Sequence, residues 1–157
     1  MTRILLGIAI LFCGLIFNQA EANKNISSTV TITNDLGGVL VTYIKKYTSW
    51  AKKGIRVRID GGCYSACTLM VGILDKEDIC VTPNAILGFH AAGYANPDGS
   101  IYYDDNGHRV ISASGTALMR EFYTPEINRW LSKHGGLGDD IIELKGSELD
   151  AMYRQCP

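Results

Sequence analysis

Two stretches of alternating apolar and polar residues enclose a stretch with helical periodicity. Apolar residues alternate with polar ones over Ser27–Asn34 and again over Ile55–Ile59, and both patterns predict strands. Between them, over Gly38–Lys52, apolar residues recur at the spacing of an amphipathic helix, namely at Leu40, Ile44, Tyr47 and Ala51. Gly54 follows and is predicted to end this helix.

The middle of the chain is more apolar. The run SACTLMVGIL, residues 65–74, is apolar almost all round, which predicts a buried helix. Residues 79–81 and 85–90 then indicate two short strands, separated by a Thr-Pro-Asn turn. Residues 92–108 are rich in glycine, asparagine and aspartate, which favours an exposed loop or hairpin.

Two helices are predicted over residues 111–124 and 125–136. Pro125 suits the first turn of the second helix, and Gly135 suits its C-cap. A short strand or turn and a last helix from Ser147 complete the chain. This order of elements predicts one α/β domain with crossover connections between parallel strands.

The first residues have the layout of a secretory signal peptide. Arg3 precedes an apolar run, Ile4–Phe17, which is shorter than the roughly 20 residues that span a bilayer. The small residues Ala20 and Ala22 then fit a cleavage site. We therefore expect residues 1–22 to be a signal peptide, residues 23–157 to be the domain, and the protein to be periplasmic or secreted.

Charge and cysteine content narrow the classes of function. The chain has 15 basic and 16 acidic residues, and its basic residues form no stripe, so nucleic acid is not an expected partner. Any membrane association is expected only through the signal peptide. Four of the five cysteines lie outside the predicted signal peptide, which predicts two disulfides in an exported chain.

The pairing of these cysteines stays open among three arrangements. We favour Cys67–Cys80 and Cys63–Cys156, because a helix starting after Cys63 would turn Cys63 and Cys67 towards different partners. A zinc site is the competing interpretation, but the chain has no CxxC or HxxxH spacing. We therefore expect neither a metal nor a cofactor.

The segment RIDGGCYSACTLM, residues 58–70, places Ser65 where a strand turns into a buried helix. A serine at this position can attack a substrate carbonyl beside free backbone amides. It requires a histidine base oriented by a carboxylate. His90 ends an apolar strand, whereas His108 lies in the polar loop and His134 lies at a helix C-terminus. The alternative for Ser65 is a helix N-cap, and His90 also fits a structural role.

The motifs DLGG at 35–38, GGCYSAC at 61–67 and ILGFHAA at 86–92 resemble the proteolytic subunit of the Clp protease. The segment TPNAILGFH also contains the Pro-Asn pair that precedes the histidine of that family. A further likeness is to exported Clp-protease-like and crotonase-like proteins of bacteria. The resemblance implies a fold of repeated β-β-α and β-α units in a single domain, here with disulfides. It leaves a homo-oligomer open.

The resemblance also implies residue roles. Ser65 would be the nucleophile, His90 the general base, and the amides of Gly37 and Ala66 the oxyanion hole. The third member of the triad would be Asp140, with Asp139 as the alternative. For both aspartates a solvated loop or a helix cap is the other interpretation.

The departures from the family concern assembly more than the site. Cys67 stands two residues after the serine, where the family has glycine. We also expect the protein to lack the family's longer N-terminal region, which engages an unfoldase ring.

Three functions follow as hypotheses. The first is an exported serine hydrolase, a peptidase acting on peptides or proteins. The second is a catalytically degenerate domain that binds a partner. The third, an acyl-thioester enzyme, is disfavoured because exported compartments lack coenzyme A. Cys63 is a rival nucleophile, but a disulfide-bonded sulfur cannot attack.

Overall fold

The computed structural model describes residues 28–157, so the predicted signal peptide lies outside the described residues. One sheet forms the centre of the domain, with strands β1 (Thr29–Asp35), β2 (Arg56–Tyr64), β3 (Ile79–Val81), β4 (Ile86–Phe89) and β5 (Ile142–Lys145). The helices are α1 (Leu40–Lys53), α2 (Met70–Ile73), α3 (Ala113–Phe122), α4 (Pro125–Lys133) and α5 (Gly146–Met152). The mixed α/β single domain predicted from the sequence is confirmed.

Strand β2 is the longest strand and organises the sheet. It pairs in parallel with β1 on one edge, and with β3 and then β4 along the other. Strand β5 adds to β4 in the antiparallel direction, which gives the order β1-β2-β4-β5. The ends of β2 and β4 therefore lie side by side, because Tyr64 is opposite Gly88.

Helix α1 forms where the periodicity predicts it. Tyr47 on its apolar face is fully buried, and Gly54 ends the helix in the left-handed conformation with φ 65°. On the outer side, the Lys46 ammonium lies 4.5 Å from the ring centre of Tyr43 and 5.1 Å from those of Tyr47 and Trp50. Its charge therefore rests on aromatic faces while its stem covers the helix surface.

The predicted buried helix differs in form. Residues Ser65–Leu69 form a 3₁₀ helix, and only Met70–Ile73 are α-helical. The segment is buried as expected, since Ala66, Cys67, Thr68, Leu69 and Met70 are all fully inaccessible. A Cβ on Gly72 would lie 1.4 Å from the carbonyl oxygen of Phe122, so this glycine allows α2 to approach the end of α3.

Residues 93–111 form a hairpin-like excursion rather than regular strands. Isolated bridges join Gly93 with Ile111, Ala95 with Ile101, and Tyr103 with Arg109. We call this segment the 93–111 hairpin. Four large side chains in it are about half exposed, namely Tyr94, Ile101, Tyr102 and Tyr103.

The favoured disulfide pairing is wrong. The four cysteines do form two disulfides, but the bonds are Cys63–Cys67 and Cys80–Cys156. Cys63 belongs to strand β2 rather than to the start of a helix, and the chain reverses at Ser65, so the Cα atoms of Cys63 and Cys67 are 5.4 Å apart. Among residues 28–157, no helix is long and apolar enough to cross a membrane.

Candidate active site

Ser65 lies at the turn between β2 and the 3₁₀ helix, in a strained backbone conformation. Its φ is +55°, and it is the only non-glycine residue with positive φ in the described part of the chain. Such a conformation costs an L-residue about 1–2 kcal/mol. The N-cap of the 3₁₀ helix is Tyr64, without a side-chain cap, and the Ser65 hydroxyl makes no hydrogen bond within residues 28–157. The helix-cap role is therefore not the one this serine fills.

Tyr64 anchors the end of β2, immediately before the turn. Its ring lies over Gly62 and Gly88, where an added Cβ would come within 2.3 Å and 2.0 Å of ring carbons. Its hydroxyl donates to Glu143 Oε1 at 3.4 Å. Two glycines and one tyrosine thus tie β2, β4 and β5 together immediately before the candidate nucleophile.

Gly37 packs directly against this turn. A Cβ on Gly37 would lie 2.6 Å from the Tyr64 carbonyl oxygen, 2.7 Å from Ser65 Cβ and 2.8 Å from the Ala66 nitrogen. Its φ of +83° also favours glycine. The loop after β1 can therefore approach the serine only because this position has no side chain.

Of the two amides predicted for the oxyanion hole, that of Gly37 is engaged in a hydrogen bond and that of Ala66 is free. The Gly37 N–H donates to Asp35 Oδ1 at 2.9 Å, so it is already engaged. The neighbouring Gly38 amide makes no hydrogen bond in the described chain. Ala66 is the second residue of the 3₁₀ helix, where the helix offers its amide no carbonyl. The free amides nearest to the serine along these two segments are thus that of Ala66 and that of Gly38, which follows Gly37 in the loop that packs on Ser65.

Asp35 holds the Gly37 loop in place. Besides the Gly37 amide, its carboxylate accepts from Tyr43 Oη at 2.5 Å and faces Lys46 Nζ at 3.4 Å. Burial alone would raise the pKa of Asp35, but the hydrogen bonds from Tyr43 and Gly37 and the Lys46 charge outweigh it, so this pKa is lowered. The sequence reasoning passed over this residue, although it stands in the quoted DLGG motif.

Replacing Asp35 by alanine is expected to lower the free energy of unfolding by about 1–3 kcal/mol, because three donors, on Gly37, Tyr43 and Lys46, lose their acceptor. Asp35→Asn retains an acceptor and should cost less at pH 7. The native carboxylate stabilises the fold above its unfolded-state pKa near 3.8, and this contribution is lost as pH falls through the lower folded-state pKa. Urea unfolding at pH 7 and pH 3 measures both effects.

The exposed Asp105 provides the control for this series, since Asp105→Asn should leave both unfolding curves unchanged. An Asp35→Asn protein whose stability falls between pH 7 and pH 3 as steeply as the native protein would contradict this account of Asp35.

His90 follows β4 and lies at the same edge of the sheet as Ser65. No hydrogen bond joins it to Ser65 in the described residues. Its Nδ1 lies 2.7 Å from the Ala91 carbonyl oxygen and 2.9 Å from Arg109 Nη1. Burial lowers the pKa of His90, and the Arg109 charge lowers it further, against the Ala91 carbonyl and Asp139. The imidazole is therefore neutral near pH 7.

Arg109 lies between His90 and Asp139, and the sequence analysis did not anticipate it. Its side chain is only 12% exposed. Its Nε donates to Asp139 Oδ1 at 2.9 Å, and its Nη1 donates to the Ala91 oxygen at 2.8 Å. Asp140 is exposed and makes no hydrogen bond or ion pair with a described residue. The carboxylate linked to His90 is thus that of Asp139, and the link runs through an arginine.

The other two histidines and Cys63 contribute no reactive group to the site at Ser65. His134 stacks on Trp130 with ring centres 4.2 Å apart, and His108 is exposed beside Asp104. Cys63 is buried in a disulfide and has no free thiol. No group of three or more histidine, cysteine, aspartate or glutamate residues within residues 28–157 is arranged to hold a metal ion.

Comparisons with known proteins give a likeness of fold. No protein-family model matches the chain, and no curated protein does. Among solved structures, the chain is similar to ClpP1 from Listeria monocytogenes, with 22% identity and a TM-score of 0.45, over 80% of this chain and 69% of that one. It is also similar to the N165D mutant of that protein, with 19% identity and a TM-score of 0.43, over 80% and 70%. Neither likeness assigns a role to a residue of this chain.

Proposed function

We propose that the protein is an exported serine hydrolase, a peptidase, with Ser65 as nucleophile and His90 as general base. The observation that carries the proposal is the backbone of Ser65. Ser65 has a strained φ of +55° at a strand-to-helix turn, and its hydroxyl has no hydrogen-bond partner in the described chain. Nucleophilic serines occur on such turns in hydrolases with an α/β fold.

The surroundings of Ser65 supply the other parts of acyl transfer. Attack of Ser65 Oγ on a peptide carbonyl forms the C–O bond, while the serine proton passes to His90 Nε2. The oxyanion accepts hydrogen bonds from the amides of Gly38 and Ala66, in place of the Gly37–Ala66 pair predicted from the sequence. Collapse breaks the C–N bond, and His90 returns the proton to the leaving amine. Water then hydrolyses the acyl-enzyme by the same route.

Asp139 is the carboxylate that we assign to the orientation of His90. Burial lowers the pKa of His90, and the negative charge of Asp139 opposes this lowering without reversing it. Asp140, the first choice from the sequence, points to no described partner. This assignment requires Arg109 to move, since its guanidinium now separates the two groups.

The surface beside Ser65 fits a peptide substrate. Leu36 and Val39, on either side of the Gly37–Gly38 pair, are 72% and 42% exposed. The tip of the 93–111 hairpin reaches Val39, because a Cβ on Gly99 would lie 3.7 Å from Val39 Cγ2. Exposed apolar side chains in the loop that packs against Ser65 suit an extended peptide better than a small polar substrate.

The two disulfides support export as part of the proposal. Such bonds persist in non-reducing compartments and are rare in the cytosol. Together with the signal-like residues 1–22, they favour the periplasm or the exterior of the cell. Cleavage near Ala22 is tested by the N-terminal sequence of the protein after export.

Fluorophosphonate labelling of the oxidised protein, followed by mass mapping, tests the proposed chemistry. We expect one label, on Ser65, which is lost in Ser65→Ala and reduced at least about a hundredfold in His90→Ala, since general-base catalysis contributes that much. Ser132→Ala and His108→Ala, on exposed residues, are the matched controls and should label like the native protein.

The second candidate is a binding domain with a degenerate site. The observation that favours it is the missing Ser65–His90 hydrogen bond, together with the arginine beside His90 Nδ1. Folded, oxidised protein that takes no label, either as the native chain or with Arg109 replaced, would favour this candidate and overturn the peptidase.

A further inference from the structure

We propose that Arg109 is a positioning residue that holds His90 in the tautomer with its proton on Nε2 and so keeps the site at rest. The inference rests on the proposed function, because it concerns the control of the same serine and histidine. When Arg109 leaves, the proton moves to Nδ1 and the base becomes competent.

The guanidinium is held firmly where it lies. Arg109 Nε donates to Asp139 Oδ1 at 2.9 Å, and Nη2 lies 2.8 Å from that oxygen and donates to the Asp139 carbonyl at 3.1 Å. An arginine that is 12% exposed needs such pairing, since an unpaired buried charge is costly. Gly93 lies against its stem, with Arg109 Cγ 3.4 Å from the position of an added Cβ.

Two neighbours compete for His90 Nδ1. Arg109 Nη1, at 2.9 Å, is a donor and requires a lone pair on Nδ1. The Ala91 carbonyl oxygen, at 2.7 Å, is an acceptor and requires a proton there. A neutral imidazole protonated on one nitrogen satisfies only one of them, so the choice of partner is also the choice of tautomer.

The charge of Arg109 decides this competition. A hydrogen bond from a cation is roughly twice as strong as a neutral one, and arginine does not lose its proton in proteins. A proton on Nδ1 would also point an N–H dipole at the guanidinium. The Ala91 oxygen meanwhile keeps a donor, because Nη1 has two hydrogens and gives one of them to it at 2.8 Å. Arg109 thus donates to both acceptors when Nδ1 is unprotonated, and its charge offsets the repulsion between the Nδ1 lone pair and the Ala91 oxygen, which are 2.7 Å apart.

This tautomer slows the first step of the proposed reaction, because only the minor fraction of His90 with a free lone pair on Nε2 can accept the Ser65 proton. Nε2 then carries a hydrogen and has no lone pair with which to accept the Ser65 proton. Withdrawal of Arg109 leaves Nδ1 with the Ala91 oxygen as acceptor, which moves the lone pair to Nε2. It also releases the Asp139 carboxylate, which can then approach the imidazole.

The element that carries Arg109 is suited to such a movement. The 93–111 hairpin forms no continuous ladder, and one of its isolated bridges, Tyr103 with Arg109, is at the arginine itself. Its backbone hydrogen bonds, such as that from the Tyr94 amide to the Val110 carbonyl, close the hairpin on itself. Segments that lie outside the central sheet and expose many side chains open at lower free energy than the sheet. Opening the hairpin would withdraw Arg109 from His90 and would also take the hairpin tip away from Val39.

Nitrogen NMR of the full chain tests the tautomer directly and needs no activity. Because the chain has three histidines, His108→Gln and His134→Gln leave His90 as the only imidazole. In this background we expect a protonated nitrogen signal at Nε2 and an unprotonated one at Nδ1. Arg109→Met, which keeps the apolar stem, should exchange the two. Arg120→Met, at an exposed arginine that donates to Ser132, is the matched control.

The rate of fluorophosphonate labelling provides the second test. Arg109→Met should raise the rate of fluorophosphonate labelling of Ser65 about tenfold, the worth of one charge-assisted hydrogen bond. A native protein with the proton on Nδ1, unchanged in Arg109→Met, would overturn the inference. A tautomer that exchanges while Ser65 stays unlabelled in every variant would support the role of Arg109 and overturn the peptidase, so the two failures are distinguishable.

Discussion

Replacing Gly37 by alanine is expected to abolish fluorophosphonate labelling of Ser65 and to lower the free energy of unfolding by about 3 kcal/mol or more. Two costs add at this position. The φ of +83° costs an L-residue about 1–2 kcal/mol, and the new methyl group would collide with backbone atoms of Tyr64 and Ala66 for about 1–3 kcal/mol more. The loop after β1 must then retreat, and the amide of Gly38 retreats with it.

Gly135→Ala separates these two costs. Gly135 has a φ of +92°, but no atom lies within 4 Å of an added Cβ, so this variant carries the strain without the collision. We expect it to lose about 1–2 kcal/mol and to label at the native rate. Urea unfolding and the labelling time course measure both. Equal loss of stability in the two variants would show that Gly37 serves the backbone angle alone.

The second large effect concerns the disulfide between Cys80 and Cys156. Replacing both cysteines by alanine is expected to cost about 4 kcal/mol, because the bond closes a long loop in the unfolded chain, with a sequence separation of 76. The bond also fixes the C-terminal tail to β3, where Val81 donates to the Arg154 carbonyl and accepts from the Cys156 amide. Denaturant unfolding is the measurement, and the m-value should rise, because the unfolded chain without this bond is more expanded and exposes more surface.

The double alanine variant of Cys63 and Cys67 is the matched control. Its loop is short, with a sequence separation of 4, so the entropic contribution is about 2 kcal/mol. Because this bond flanks Ser65, its removal should reduce labelling more than removal of Cys80–Cys156 does. The two variants are thus expected to rank in opposite orders for stability and for labelling. If one double variant lost more than the other in both stability and labelling, the two disulfides would not have the separate roles assigned to them here.

The sequence predicts most of the secondary structure because local patterns determine it. Alternation at β1 and the apolar positions of α1 each follow from burial on one face, and Gly54 ends α1 as expected. Pro125 opens α4 as predicted, while its C-cap is His134 and Gly135 follows with positive φ. Strand β2 extends to Tyr64, beyond the predicted Ile59, because pairing with β1 and β4 overrides the glycine signal.

The site is harder to predict because its parts meet through the tertiary structure. Ser65 and His90 stand out, since each follows a predicted strand, and parallel pairing brings those strand ends together. Arg109 gives no such signal. It lies in a polar hairpin, and nothing local shows that its side chain turns inward to His90 and Asp139. The predicted disulfide pairing is wrong for a related reason. The actual pairing depends on the chain reversal at Ser65, which the local sequence does not show.

The spacing of the cysteines has a consequence for how the chain oxidises. Cys63 and Cys67 are close enough along the chain to meet before any tertiary structure forms, because closing a short loop costs less entropy than closing a long one. Once they have paired, Cys80 and Cys156 have only each other among the four. The three possible pairings of the four cysteines are thereby reduced to one, so that no isomerase is needed to select it. Formation of the Cys63–Cys67 bond, at the turn that presents Ser65, thus directs oxidative folding to one disulfide pairing.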